Sequence, residues 1–308
     1  MAPQSTANLL LSDDEVAHEF RFFRVLKDGR IHFFKPPVAK IPPSADPVTG
    51  VQSKDVVISS DPHVSARIFL PPNSTGNKLP LLFYIHGGGF CMQSAFSHAH
   101  HSFASAVAAE SNSLVVSIEY GLFPDRPIPA CYDDCWAALL WVALHSSGNG
   151  PDPWINNHAD LTRIFIAGNS AGGNITHYLA AQVGAVGLPG QTRVEGAILV
   201  HPFFGGTEDD AMWMYMCPMN KGLNDPRMKE RKEDLERLGC ERVLVFVAEK
   251  DHLMAVGVRY YEALRTSGWQ GTAELMVNNG EAHCFYLSDS ECRNAVELKE
   301  KFAGFIKG

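Results

Sequence analysis

Beyond residue 50 the chain alternates short runs of β-branched and aromatic residues with longer stretches whose apolar positions recur at helical spacing. Strand-like runs stand at 55–58, 66–70, 81–85, 114–118, 163–167, 194–200, 242–247 and 274–277. Helical spacing covers 99–110, 130–145, 171–183, 256–265 and 292–306. Strands separated by helices need crossover connections, so most of these run parallel in one sheet with helices on both faces. The first two runs have no helix between them and are expected to pair antiparallel. Leu81-Leu82-Phe83-Tyr84-Ile85 is apolar without alternation, as a strand covered on both sides requires. The fold class is therefore α/β, with a mostly parallel central sheet flanked by helices.

The rhythm is absent in two places. Residues 1–45 read as an N-terminal cap segment. Phe20 to Leu26 and Ile31 to Phe34 flank Lys27-Asp28-Gly29, a turn signal, and together predict a hairpin. Five prolines between residues 35 and 47 predict an extended connector. Residues 203–235, rich in Met, Gly and charge, form a candidate second cap segment over the C-terminal edge of the sheet. Open α/β folds keep their ligand sites at that edge.

Composition narrows the chemistry. The 308 residues fit one large domain, or at most two of ordinary size. Lys and Arg number 26 against 34 Asp and Glu, a net charge of −8, which argues against a nucleic-acid partner. No apolar run approaches the roughly 20 residues that cross a bilayer, so no membrane partner is expected. The opening MAPQSTANLLLSDDEVAHEF lacks a basic leader and a long apolar stretch, which predicts no signal peptide and a cytoplasmic location. Seven cysteines without paired spacing read as reduced thiols.

Two glycine motifs carry the chemistry. Gly168-Asn169-Ser170-Ala171-Gly172-Gly173 follows a strand and opens a helix. Glycines two before and two after a serine permit a turn sharp enough to lift the hydroxyl above the sheet. The helix then aims its N-terminal N–H groups at whatever the serine attacks. His86-Gly87-Gly88-Gly89-Phe90 follows another apolar strand, and consecutive glycines leave backbone N–H groups open to a negative oxygen. Gly88, Gly89 and Ala171 are thus candidate oxyanion donors, and His86 reads as a structural residue of its loop. A serine hydroxyl needs a base, and the base an orienting acid. Asp251 follows the strand at 242–247 and His283 follows the last strand, in the chain order nucleophile, acid, base. Glu249 and His252 are their rivals. A histidine base predicts activity falling below about pH 6.

HGGGF, GNSAGGN, VFVAEKDHL and EAHCF together resemble the plant carboxylesterases of the hormone-sensitive-lipase-like branch of the α/β-hydrolases. YGLFPDRPIPACYDD over residues 120–134, His201-Pro202-Phe203-Phe204 and Ser267-Gly268-Trp269 extend the likeness across nearly the whole chain. The resemblance implies an α/β-hydrolase catalytic domain over 46–308 behind an N-terminal cap, with Ser170, Asp251 and His283 as catalytic residues. It implies a serine carboxylesterase acting on a small-molecule ester through an acyl-enzyme. Hydroxyisoflavanone dehydratases and gibberellin receptors are related: the alternatives are a lyase and a non-catalytic receptor, and the receptors lack the histidine present here at 283. Departures from the family pattern are Asn169 in place of Asp, Gly121 in place of Arg, and a short stretch between Phe204 and Met212. Phe90, Met92, Phe123, Phe204, Trp213, Met214, Leu253 and Phe285 are candidate substrate-binding residues, and their apolar character favours a neutral ester. No cofactor and no metal is expected: nucleotide-binding glycine motifs are absent, and His98, His100 and His101 lack a fourth ligand at a recognisable spacing.

Overall fold

The computed structural model describes residues 15–308 apart from Asn73 and Thr75. An eight-stranded sheet is formed by β4 (Gln52–Ser60), β5 (His63–Leu70), β6 (Leu79–Ile85), β7 (Leu114–Glu119), β8 (Ala159–Asn169), β9 (Val194–Val200), β10 (Arg242–Ala248) and β11 (Thr272–Asn278). Its order is β11-β10-β9-β8-β6-β7-β5-β4. Only β5 runs against the others, so its pairings with β4 and β7 are antiparallel and the rest are parallel. The strand-like runs read from the sequence all lie within these strands, which exceed them by at most four residues at either end.

Strand alternation divides the interior in two. Leu81, Phe83, Ile85, Val116, Ile166, Leu199 and Val245 point to one face. There they meet α2 (Ala130–Ala143), α4 (Ala171–Val186) and α7 (Met254–Thr266). Leu82, Tyr84, Val115, Phe165, Ile198 and Phe246 point to the other, against α1 (His98–Ser111) and α8 (Arg293–Lys307). Three short helices escape the periodicity: α3 (Pro153–His158), α5 (Asp210–Met216) and α6 (Lys232–Glu236). None is long enough to show a repeating apolar stripe. Of the three histidines at the start of α1, His100 and His101 are buried, hydrogen-bonding Tyr84 Oη and Arg67 Nη1 at 3.3 and 3.0 Å, and His98 is exposed. All seven cysteines are free.

The hairpin read at residues 20–34 is part of a three-stranded antiparallel sheet, β1 (Val16–Glu19), β2 (Phe23–Leu26) and β3 (Ile31–Phe33). Residues 1–14 of the candidate cap lie outside the described residues. Phe23, fully buried, anchors this small sheet, with ring centroids 5.2 to 5.4 Å from Phe20, Phe33 and Phe123. Removing a buried phenylalanine ring costs about 3–5 kcal/mol. Phe23→Ala is therefore expected to loosen residues 15–34 before the main sheet. Limited proteolysis checks this, with first cleavage falling in that segment.

Candidate active site

The carboxyl ends of β6, β8, β10 and β11 lie along one edge of the sheet, and every candidate catalytic residue follows one of them. Between β8 and α4 the chain turns at Ser170, whose φ is 55°. A backbone on the left-handed side is costly for any residue but glycine. Three backbone bonds hold it: Ser170 N–H donates to Val200 O at 2.9 Å, and Ser170 O accepts from Asn174 and Phe203 at 3.2 and 3.0 Å. The flanking glycines are steric necessities. A Cβ on Gly168 would stand 2.8 Å from the Ile85 carbonyl oxygen, and one on Gly172 only 2.1 Å from it.

Gly89 and Ala171 line the same cavity as Ser170, with Gly88 one residue behind. The Gly88 carbonyl accepts from Cys91 and Met92, which curls the loop so that φ is 108° at Gly88 and 59° at Gly89. The backbone N–H groups of Gly88, Gly89 and Ala171 make no other hydrogen bond among the described residues. His86 is wholly buried, donates from Nδ1 to Gly87 O at 2.7 Å, and stacks on Tyr120. Burial pushes its pKa down, keeping it neutral.

His283 Nδ1 donates to Asp251 Oδ2 at 2.6 Å. Burial acts to raise the Asp251 pKa, but hydrogen bonds from His252 and His283, with the Leu253 N–H, outweigh it and hold the carboxyl well below its usual range. His283 is pushed up from 6.5: burial works against the charged ring, and the Cys284 sulfur and the Asp251 carboxylate outweigh it. No hydrogen bond joins Ser170 Oγ to the imidazole among the described residues; both groups face one cavity. The nearest partner of His283 Nε2 is Cys284 Sγ at 3.6 Å. That sulfur also accepts from Asn169 Nδ2 at 3.3 Å, and its thiol is lowered to about 6, burial being overcome by the neighbouring imidazoles of His283 and His201. Glu249, the rival acid, instead accepts from Gly280 N–H at 2.6 Å.

The cavity measures about 170 Å³. Phe90, Trp213 and Leu253 line it as the sequence suggests, joined by Phe22, Phe203 and Met212. The other apolar candidates stand elsewhere. Met92 and Phe123 border a neighbouring cavity with Pro36, Pro37 and Leu122, because the loops carrying them face the proline-rich connector. Phe204 is fully buried and stacks on Tyr260 at 4.8 Å. Met214 is turned away by the helical twist of α5, and Phe285 packs into the core beneath α8 and α1. Arg21, Asp209 and His252 give the cavity a charged wall that no local motif announced.

Residues 82–287 match the family described as alpha/beta hydrolase fold. The chain is 41% identical over 306 residues to the 2-hydroxyisoflavanone dehydratase of Glycyrrhiza echinata, covering 92% of this chain and 93% of that protein. It is 40% identical over 314 residues to probable carboxylesterase 1 of Arabidopsis thaliana, covering 96% and 98%. Among solved structures, the hyperthermophilic esterase of Pyrobaculum calidifontis superimposes with a TM-score of 0.69 at 26% identity, over 83% of this chain and 85% of the other.

The crowding at the turn makes a prediction. Gly172→Ala forces its new methyl against the Ile85 carbonyl and displaces Ser170. A 1 Å displacement of this kind costs about 100-fold. Fluorophosphonate labelling of Ser170 is expected to slow by about that factor, measured beside circular dichroism to verify folding. The chain belongs to the α/β-hydrolase fold family, within the group of plant carboxylesterases and their relatives.

Proposed function

We propose that this chain is a serine carboxylesterase that hydrolyses small neutral esters through an acyl-enzyme, with Ser170 as nucleophile, His283 as base and Asp251 as orienting acid. Membership of the family supports ester hydrolysis. The single observation that carries the assignment is the 2.6 Å bond between His283 and Asp251 beside a cavity shared with Ser170, Gly89 and Ala171.

As the Ser170 oxygen bonds to the ester carbonyl carbon, its proton passes to His283 Nε2, and Asp251 stabilises the imidazolium. The carbonyl oxygen takes the negative charge and is met by the N–H groups of Gly88, Gly89 and Ala171; each such donor contributes about 3–4 kcal/mol in the transition state. Collapse breaks the bond to the alcohol, which leaves with the proton from His283. Water then attacks the acyl-enzyme with the same base and releases the acid. The small volume and apolar wall of Phe22, Phe90, Phe203, Met212, Trp213 and Leu253 suit a short neutral acyl group. Residues 15–45 and 203–235, which supply Arg21, Phe22, Phe203, Asp209, Met212 and Trp213 to this cavity, act as its cap. Free thiols suit a cytoplasmic setting, and no described helix is long and apolar enough to cross a membrane. The dehydratase relative keeps a second reading open, water loss from a 2-hydroxyisoflavanone with the same donors stabilising an enolate.

Ser170→Ala is expected to lower turnover of 4-nitrophenyl acetate by roughly 10⁴–10⁶-fold. Near wild-type turnover would overturn the assignment, and dehydration of a 2-hydroxyisoflavanone without ester hydrolysis would favour the lyase. The environment of His283 also sets the pH profile. A base must be neutral, so a pKa raised above 6.5 moves the acid limb of kcat/KM to higher pH than an unperturbed histidine would give. A midpoint at or below 6.5 would contradict that environment.

A further inference from the structure

The carboxylate of Asp251 serves two imidazoles. Its Oδ2 accepts from His283 Nδ1 at 2.6 Å, while its Oδ1 lies 3.2 Å from His252 Nδ1 and accepts from Leu253 N–H at 2.9 Å. The other ring nitrogen of His252, Nε2, lies 2.8 Å from Asp209 Oδ2. Asp209 in turn pairs through Oδ1 with Arg21 Nε at 2.7 Å, and Arg21 also pairs with Glu208. A neutral imidazole has one N–H and one lone pair, and a lone pair would repel whichever carboxylate it faced. With a carboxylate oxygen at each nitrogen, both must carry protons. His252 is therefore a cation, and it stands with its ring centroid 5.6 Å from that of His283.

We propose that His252 is a positioning residue: a ring charged at neutral pH and clamped between Asp209 and Asp251, which tunes the basicity of His283 and fixes the carboxylate on which His283 turns. The inference rests on the esterase reading above. Two effects follow from ordinary electrostatics. A positive ring beside His283 disfavours a second positive charge there, and it draws on the same carboxylate that stabilises the His283 imidazolium. Both keep the pKa of His283 lower than an unshared carboxylate would allow, so the base is free of its proton at a lower pH. The groups facing His283 are Asp251, His252, His201 and Cys284; those facing His252 are Asp251, Asp209, Arg21 and His283. The clamp also spans three segments far apart in sequence: Arg21 follows β1, Asp209 precedes α5, and His252 precedes α7. An arm docked through Arg21 holds Asp209 in place, and Asp209 keeps His252 charged.

The test is the acid limb of kcat/KM for 4-nitrophenyl acetate in the full chain. His252→Gln removes the cation while retaining polarity, and the limb is expected to move up by about one pH unit, the size of effect for a charge at this range in a protein environment. Asp209→Asn, which leaves His252 with one carboxylate and lets it lose its proton near neutrality, is expected to move the limb in the same direction. His252→Arg, which restores a cation between two carboxylates, is expected to return it to the wild-type position. Each variant is also labelled with a fluorophosphonate. Normal labelling of Ser170 with the limb unmoved in both His252→Gln and Asp209→Asn would overturn the inference and leave the esterase reading standing. Failure of wild-type Ser170 to label would instead remove that reading.

Discussion

The site depends on one close contact between two strand ends. β6 and β8 are neighbours with Ile85 opposite Gly168. At that register the Ile85 carbonyl leaves no room for a side chain on Gly168 or Gly172. One strand ends in the Gly87–Gly89 loop and the other in Ser170, so a single register places both. Gly87 N–H donates to Asn169 Oδ1 at 3.0 Å, tying the two loops across the gap. The strained φ of Ser170 costs on the order of 1–3 kcal/mol. Three backbone hydrogen bonds, each worth about 1 kcal/mol, offset a cost of that size. The hydroxyl is thus held out by the fold before any substrate arrives.

Charge at the cavity wall obeys a different constraint. Asp209 and Asp251 are nearly buried, and an unpaired buried carboxylate costs several kcal/mol. Each is consequently held by two partners, Asp209 by Arg21 and His252, Asp251 by His252 and His283. The exposed Arg21–Glu208 pair contributes at most about 1 kcal/mol. Energy therefore concentrates at the inner links, where signs alternate from Arg21 through Asp209, His252 and Asp251 to His283. The rest of the cavity lining is largely aromatic and apolar, with Phe22, Phe90, Phe203, Met212, Trp213 and Leu253.

Much of this was legible in the chain. Strands of the central sheet and the five long helices follow from periodicity because one face or both must be apolar. The two glycine motifs are legible because each glycine answers a local steric demand. What escaped depends on distant parts of the chain meeting. Phe203 enters the cavity while Phe204 enters the core, and adjacent positions of an extended segment cannot be told apart until its orientation is fixed. On α5 the candidates were Trp213 and Met214, whereas Met212 and Trp213 face the cavity; helical rotation of about 100° per residue makes a one-position shift decisive. Arg21 and Asp209 carry no motif at all. His252 was visible only as a rival base, since its role arises from sharing a carboxylate with His283.

Asn169 illustrates how a departure from the family pattern is absorbed. Its side-chain oxygen accepts from Gly87 N–H and Tyr84 Oη, a task an aspartate could also perform. Its amide nitrogen donates to Cys284 Sγ, which an aspartate could not do. A carboxylate there would present lone pairs to a sulfur whose thiol is already shifted toward the anion, and the two would repel. Asparagine and cysteine at these positions therefore form a matched pair. Cys284 N–H in turn donates to His201 Nδ1 at 2.9 Å, which fixes that ring beside His283. The asparagine changes what surrounds His283 Nε2 and leaves the bond from His283 Nδ1 to Asp251 intact.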